Sequence, residues 1–201
     1  EFARYFTTGG GQLWERQALC KARVVYGSPR AVKAAMAAVA KAAFAHRWRR
    51  KDAVEIREMR RRLEESAPAA GDLKRGPGGI VDIEFLVQML QLQHARGNPA
   101  LRVSNTLAAL GELYRAGLLT VDDYEFFDVS YRLLRTIEGR LRLMNSTARD
   151  QLPQDPVELA KLANLLHYPS SDGLLTDYEN ATRQIRRRFE RIFDAEGTGR
   201  L

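Results

Sequence analysis

The protein is 201 residues long, 45% hydrophobic and 28% charged, with 15 Gly and 7 Pro. That is enough chain for one domain or two small ones, too apolar for intrinsic disorder, and too poor in Gly and Pro for a collagen-like or low-complexity chain. Its 32 Lys and Arg outnumber 25 Asp and Glu for a formal charge of +7, and 26 of those cations are Arg, whose planar donor fork points to an anionic partner, although a GC-rich genome gives the same bias.

Apolar residues recur at a period of 3.6 from end to end. A first helix is expected from about Gln12 to Tyr26, ending on Gly27 as a left-handed cap. A second starts at Pro29, suited to a first helical turn, and runs Ala-rich to Phe44. A third covers about Asp52 to Glu65, with Ile56, Met59 and Leu63 as its stripe. Residues 66–79, from the Ala67-Pro68-Ala69-Ala70-Gly71 break to Arg75-Gly76-Pro77-Gly78-Gly79, form the one candidate boundary inside a single domain spanning 1–201. A fourth helix runs from about Gly79 to Arg96, and a fifth runs from a Ser104 cap to Gly117. A sixth, from Thr120 to about Asn145, carries Tyr124, Phe127, Tyr131, Leu134 and Leu141. After Leu152-Pro153, a short helix covers about Val157 to His167. The last starts near Asp172, with Tyr178, Ala181, Ile185, Phe189 and Ile192 on one face. Eight amphipathic helices with short connections make an all-α, multi-helix bundle, and there is no fixed-period repeat.

Metal and nucleophile patterns are absent. His46, His94 and His167 are scattered, with no pair at ligand spacing. Cys20, the sole cysteine, reads as a small core filler; without a disulfide a reducing, cytoplasmic setting is expected, and a secreted protein without disulfides is the alternative. No run nears the roughly 20 apolar residues of a membrane span, no signal segment opens the chain, and Glu1-Phe2-Ala3-Arg4 lacks an initiator Met, as expected of a piece of a longer protein. Gly9-Gly10-Gly11 lacks the Lys-Ser/Thr of a phosphate loop and reads as a linker.

Two stretches carry chemistry. In Asp72-Leu73-Lys74-Arg75-Gly76-Pro77-Gly78-Gly79, glycines lead into a helix N-terminus behind two cations. Such a turn either receives an anion on its backbone N–H groups or is a plain tight turn. Asp82 and Glu84 lie two apart, so they point about 200° from each other and cannot share one metal. Glu84, Gln88 and Gln91 share a face, either solvated or lining a polar groove. In the first helix Arg16 and Arg23 are expected on one face and Trp14, Gln17 and Lys21 on another, as a phosphate-holding stripe or a surface helix. Arg57, Arg60 and Arg61, with Glu58–Arg62 at i,i+4, and the run Arg183, Arg186, Arg187, Arg188, Arg191 read as solvated faces.

Trp14-Glu-Arg-Gln-Ala-Leu19, Lys21-Ala-Arg23, Glu58-Met-Arg60 and Leu73-Lys-Arg-Gly-Pro-Gly-Gly-Ile-Val-Asp-Ile-Glu-Phe-Leu-Val-Gln88 are a specific combination. With Leu101-Arg102, Ser104-Asn-Thr106, Tyr131-Arg-Leu-Leu-Arg135 and Leu152-Pro153, the sequence resembles the bifunctional glutamine synthetase adenylyltransferase/adenylyl-removing enzymes over nearly its whole length. The resemblance implies a helical domain accessory to a polymerase-β-like nucleotidyltransferase domain, whose magnesium-carrying Asp-x-Asp pair is not in this sequence. The segment alone is then expected to be inactive, with no catalytic residue or metal ligand of its own. The full enzyme, by the same resemblance, uses ATP and magnesium to transfer AMP to a tyrosine of glutamine synthetase, or removes it by phosphorolysis, under control of the PII signal protein. Glu58-Met-Arg60 and Val81-Asp82 look more like the adenylylating half, while Leu152-Pro153 also occurs in the other. The expected role is closure over nucleotide held by the rest of the polypeptide. Arg16, Lys21, Arg23, Lys74, Arg75, Gly78 and Gly79 would face phosphate, and Glu84 and Gln88 would line a polar groove. The alternative is a module docking glutamine synthetase or PII. A nucleic-acid-binding bundle rests on charge alone and lacks an aromatic-interleaved basic stripe.

Overall fold

Local signals set most of the helix starts. The computed structural model describes residues 2–7, 10–67, 71–144 and 150–198. Gly9, the Pro68-Ala69-Ala70 part of the break and the expected sixth-helix end at Asn145 lie outside the described residues. Regular structure within them is helical: α1 (Phe2–Thr7), α2 (Leu13–Leu19), α3 (Pro29–Phe44), α4 (Arg50–Glu65), α5 (Ile80–His94), α6 (Thr106–Arg115), α7 (Val121–Met144), α8 (Pro156–Leu165) and α9 (Ser171–Thr198), with a 3₁₀ turn at Pro99–Leu101. Ser28 caps α3 by accepting from the Ala31 N–H, with Pro29 in the first turn. Asp155 caps α8 by accepting from the Val157 and Glu158 N–H groups at 3.0 and 2.9 Å. Asn105, not Ser104, caps α6 through the Ala108 N–H at 3.0 Å. No described helix is long and apolar enough to cross a membrane.

The first expected helix is corrected most. It shortens to α2, which stops at Leu19, seven residues before Tyr26, and α1 precedes it as a separate, unexpected helix. The reason is local. The N–H groups of Cys20, Lys21 and Ala22 turn back three residues, to Gln17, Ala18 and Leu19, a tightening that ends helices. Val24-Val25 then favours extended backbone. Gly27 sits at φ +155 in the connection to α3 rather than capping a helix.

Helix α5 is the axle of the bundle. Ile80, Val81, Ile83, Leu86, Val87, Met89, Leu90 and Leu92 are all buried, as apolar positions spread around most of a helix require. It packs against α2, α3, α4, α6, α7 and α9. The stripes of α7 and α9 face this core, with Phe127, Leu134, Leu141, Ile185 and Phe189 at most 1% exposed. Each such fully buried side chain stabilises the fold by roughly 1.5–3 kcal/mol. Cys20 is buried with them, which pushes its thiol up to about 12.

A charged staple ties α4, α5 and α9 to the glycine-rich turn. Arg60 of α4 is only 1% exposed. Its Nε pairs with Asp82 Oδ1 of α5. Its Nη2 donates to the carbonyls of Arg75 and Gly76, each at 2.9 Å. The other Asp82 oxygen accepts from the Gly78 N–H at 2.8 Å. Arg186 of α9 reaches Asp82 at 3.5 Å and Glu64 of α4 at 2.7 Å. The expected Arg57–Arg60–Arg61 solvated face is therefore corrected: Arg60 turns inward, because an inward carboxylate and two turn carbonyls need a donor there. Replacing Arg60 by Ala strips buried Asp82 of its nearest cation, leaving the Gly78 N–H and the longer Arg186 contact, so chemical denaturation should show a loss of about 3–5 kcal/mol.

Candidate functional site

The glycine turn is held together by its own backbone. Asp72 is buried and accepts from the Lys74 and Arg75 N–H groups at 2.9 and 2.7 Å. The Gly76 N–H donates to Asp72 O, Gly79 to Gly76 O, Ile80 to Leu73 O and Val81 to Lys74 O. With Gly78 bonded to Asp82, the donors expected to receive an anion are engaged inside the protein. Gly78 lies at φ +72, and a Cβ there would stand 1.8 Å from the Thr182 carbonyl oxygen. Its glycine lets the α9 backbone approach. The Lys74 and Arg75 side chains are half-buried, and Arg75 Nε lies 3.6 Å from Asp72 Oδ2.

The α2 cations separate. Arg16 is buried, donates to the carbonyls of Ala42 and, at 3.0 Å, Phe6, and lies over the Phe6 ring at 5.3 Å. It binds α1 and α3 to α2. Arg23 is exposed beyond the helix end, so it shares no helical face with Arg16. Trp14 is 57% exposed while Gln17 is buried, so those two do not share a face either. Lys21 is carried elsewhere by the turn after α2.

Lys21 enters a cleft of about 610 Å³ lined also by Glu84, Ser104, Thr106, Tyr131 and Arg135. Its Nζ stands 3.3 Å from Glu84 Oε1 and donates to the Thr106 hydroxyl. The Tyr131 hydroxyl donates to Glu84 at 2.8 Å and lies 3.3 Å from Thr106 Oγ1. Four separate elements thus converge on one polar cluster: the turn after α2, then α5, α6 and α7. Arg132 and Arg135 form the α7 rim, held by Asp128 at 2.7 Å and Glu138 at 2.7 Å. Gln88 does not line the cleft; its Oε1 accepts from Gln17 Nε2 at 2.8 Å, behind the cluster. Gln91 is buried and donates to the carbonyls of Leu101 and Val103. Of the expected groove, Glu84 alone opens into the cleft. Arg16, Arg23, Lys74 and Arg75 do not line it.

Burial first, and then the Glu84 charge, push the Tyr131 phenol up to about 12. Its hydroxyl is a donor at neutral pH, directed at Glu84. The cleft wall presents three cations and one carboxylate, with Asp128 and Glu138 pairing the two arginines from just outside it. Its volume suits a nucleotide-sized ligand, and its wall suits an anionic one. Among the described residues no group of three or more His, Cys, Asp and Glu side chains is placed to hold a metal ion. Thr106, Tyr131 and Arg135 were not expected as site residues. Tyr131 read as part of the α7 core stripe, and only the spacing Tyr131-Arg-Leu-Leu-Arg135, which puts both on one face, signals them.

The family described as GlnD PII-uridylyltransferase matches residues 46–193. Curated bifunctional glutamine synthetase adenylyltransferase/adenylyl-removing enzymes are similar over most of the chain. That of Streptomyces coelicolor is 35% identical over 187 residues, 90% of this chain and 19% of the relative. That of Mycobacterium tuberculosis H37Rv is 38% identical over 161 residues, 78% and 16% of the two chains. That of Mycolicibacterium smegmatis is 39% identical over 147 residues, 72% and 15%. The chain spans less than a fifth of the length of these relatives.

Two outcomes follow from the geometry. Gly78→Ala must move the α9 backbone and adopt a left-handed conformation, so denaturant unfolding should show a loss well above about 1 kcal/mol. The raised Tyr131 pKa favours the folded state below its ordinary value near 10, and that contribution fades as pH rises through about 12. Tyr131→Phe should remove this part of the alkaline transition, read by tyrosinate absorbance against unfolding.

Proposed function

This chain belongs to the GlnD PII-uridylyltransferase family, and from that premise we propose that it is the helical domain of a glutamine synthetase adenylyltransferase/adenylyl-removing enzyme. Its Lys21–Glu84–Thr106–Tyr131 cleft faces the phosphate of a nucleotide held by a catalytic domain elsewhere in the same polypeptide. ATP and magnesium belong to that domain. The protein substrate is glutamine synthetase, the PII signal protein controls the reaction, and the setting is cytoplasmic. On this reading the segment alone is inactive, since the Asp-x-Asp pair is not in its sequence.

The convergence of four elements on the cleft carries the reading. Nucleotidyl transfer needs positioned positive charge more than covalent help from the protein. Lys21 would supply that charge at the cleft floor and Arg135 at the rim, while Tyr131 and Thr106 hold Lys21 and Glu84 in register. The same groups serve either direction, because addition and phosphorolytic removal pass through similarly charged phosphorus centres.

A second reading, docking of glutamine synthetase or PII without nucleotide contact, is favoured by the scatter of Arg23, Lys74 and Arg75 outside the cleft. Variants of the full-length enzyme separate the two. Lys21→Ala and Arg135→Ala should each lower kcat/KM for adenylyl transfer by about 10- to 100-fold, with Arg23→Ala near the parent value. Unchanged turnover and nucleotide affinity in both cleft variants would overturn the nucleotide reading.

A further inference from the structure

The late arginine run of α9 divides by what each side chain meets. Arg188 and Arg191 both donate to buried Asp123, at 2.5 and 2.7 Å. Arg186 is engaged by Glu64, Asp82 and Glu190. Arg183 and Arg187 are exposed, one helical turn apart, and have no ion-pair partner among the described residues. They line a shallow depression of about 540 Å³ with Pro77, Glu179, Thr182 and Arg186.

We propose that this depression, outside the Lys21 cleft, is a docking surface for an acidic protein segment that offers carboxylates one helical turn apart. Three features select that occupant. Arg183 and Arg187 stand at i,i+4 on one helix face with Cβ atoms roughly 6 Å apart, the same spacing as Glu side chains at i,i+4 on a partner helix. No aromatic ring lines the depression, so it offers no platform for a nucleobase. Glu179 sits at its edge, where it would repel a continuous phosphate backbone but can stand beside a gap between two discrete carboxylates. The platform is also stiff. Thr182 rests its carbonyl against Gly78, and Arg186 is pinned to Glu64 and Asp82 from below. Only the two arginine side chains themselves are left to order on binding.

The test uses the full-length polypeptide and a fluorescein-labelled, Ala-based helical peptide carrying Glu pairs at i,i+4. Anisotropy at low salt should show Arg183→Ala/Arg187→Ala weakening binding by about three- to tenfold. The charge-matched control Arg30→Ala/Lys33→Ala, on α3, should weaken it less than twofold. A peptide of the same composition with its Glu residues at i,i+2 should bind the parent more weakly. Both positions are solvent-facing, and equal thermal melts of parent and variants verify folding. Equal weakening by the α3 control means general charge attraction and overturns the proposal. A larger loss for a single-stranded oligonucleotide than for the peptide in the Arg183/Arg187 variant also overturns it, in favour of nucleic acid.

Discussion

The buried Arg60–Asp82 pair is the constraint on which the arrangement rests. A carboxylate this deep survives only with donors on every side, and it collects them from α4, α9 and the glycine turn. Doing so fixes the N-terminus of α5 in position and rotation. Glu84 follows two residues later, on the far side of the helix. One turn of α5 therefore serves architecture with one acid and the cleft with the next. The Asp82-Ile83-Glu84 spacing that excludes a shared metal is what lets the two acids do separate work.

Most of the fold was legible because it is periodic. The α7 and α9 stripes read directly as core, Ile56 anchors the α4 stripe while Met59 and Leu63 are only partly buried, and the expected bounds of α3, α4 and α7 and the start of α9 lie within a few residues of the observed ones. The α2 end was not legible, since reversed N–H groups after Leu19 win over a pattern that continues helical to Tyr26. Gly78 showed its need for a glycine but not the cause, which is the Thr182 carbonyl far along the chain. The candidate site was legible in pieces. Lys21 and Glu84 were named, but as members of two different groups. Their meeting with Thr106 and Tyr131 depends on α6 and α7 packing beside α5, which no local pattern encodes.

Arginine has several uses here, and sequence runs do not separate them. Arg16 and Arg60 are buried and satisfy backbone carbonyls, a task that suits five donors on one plane. Arg188 and Arg191 neutralise Asp123, whose carboxyl is pushed up by burial but brought below its usual range by those two arginines and Thr120. Arg132 and Arg135 stand at a cleft rim, restrained by acids of their own helix. Basic composition thus overstates how much positive surface meets solvent.

The contact between Gly78 and Thr182 has a consequence for how the molecule is made. Part of the turn's surroundings comes from α9, which is synthesised after most of the bundle. Closing that loop is costly in chain entropy and slow compared with local helix growth. A nascent chain that has not yet emerged past Arg186 can form α4 and α5 but cannot finish seating the turn between them. The helix of this bundle that is made last is the one that locks an earlier segment, so the turn reaches its final shape only after α9 has emerged.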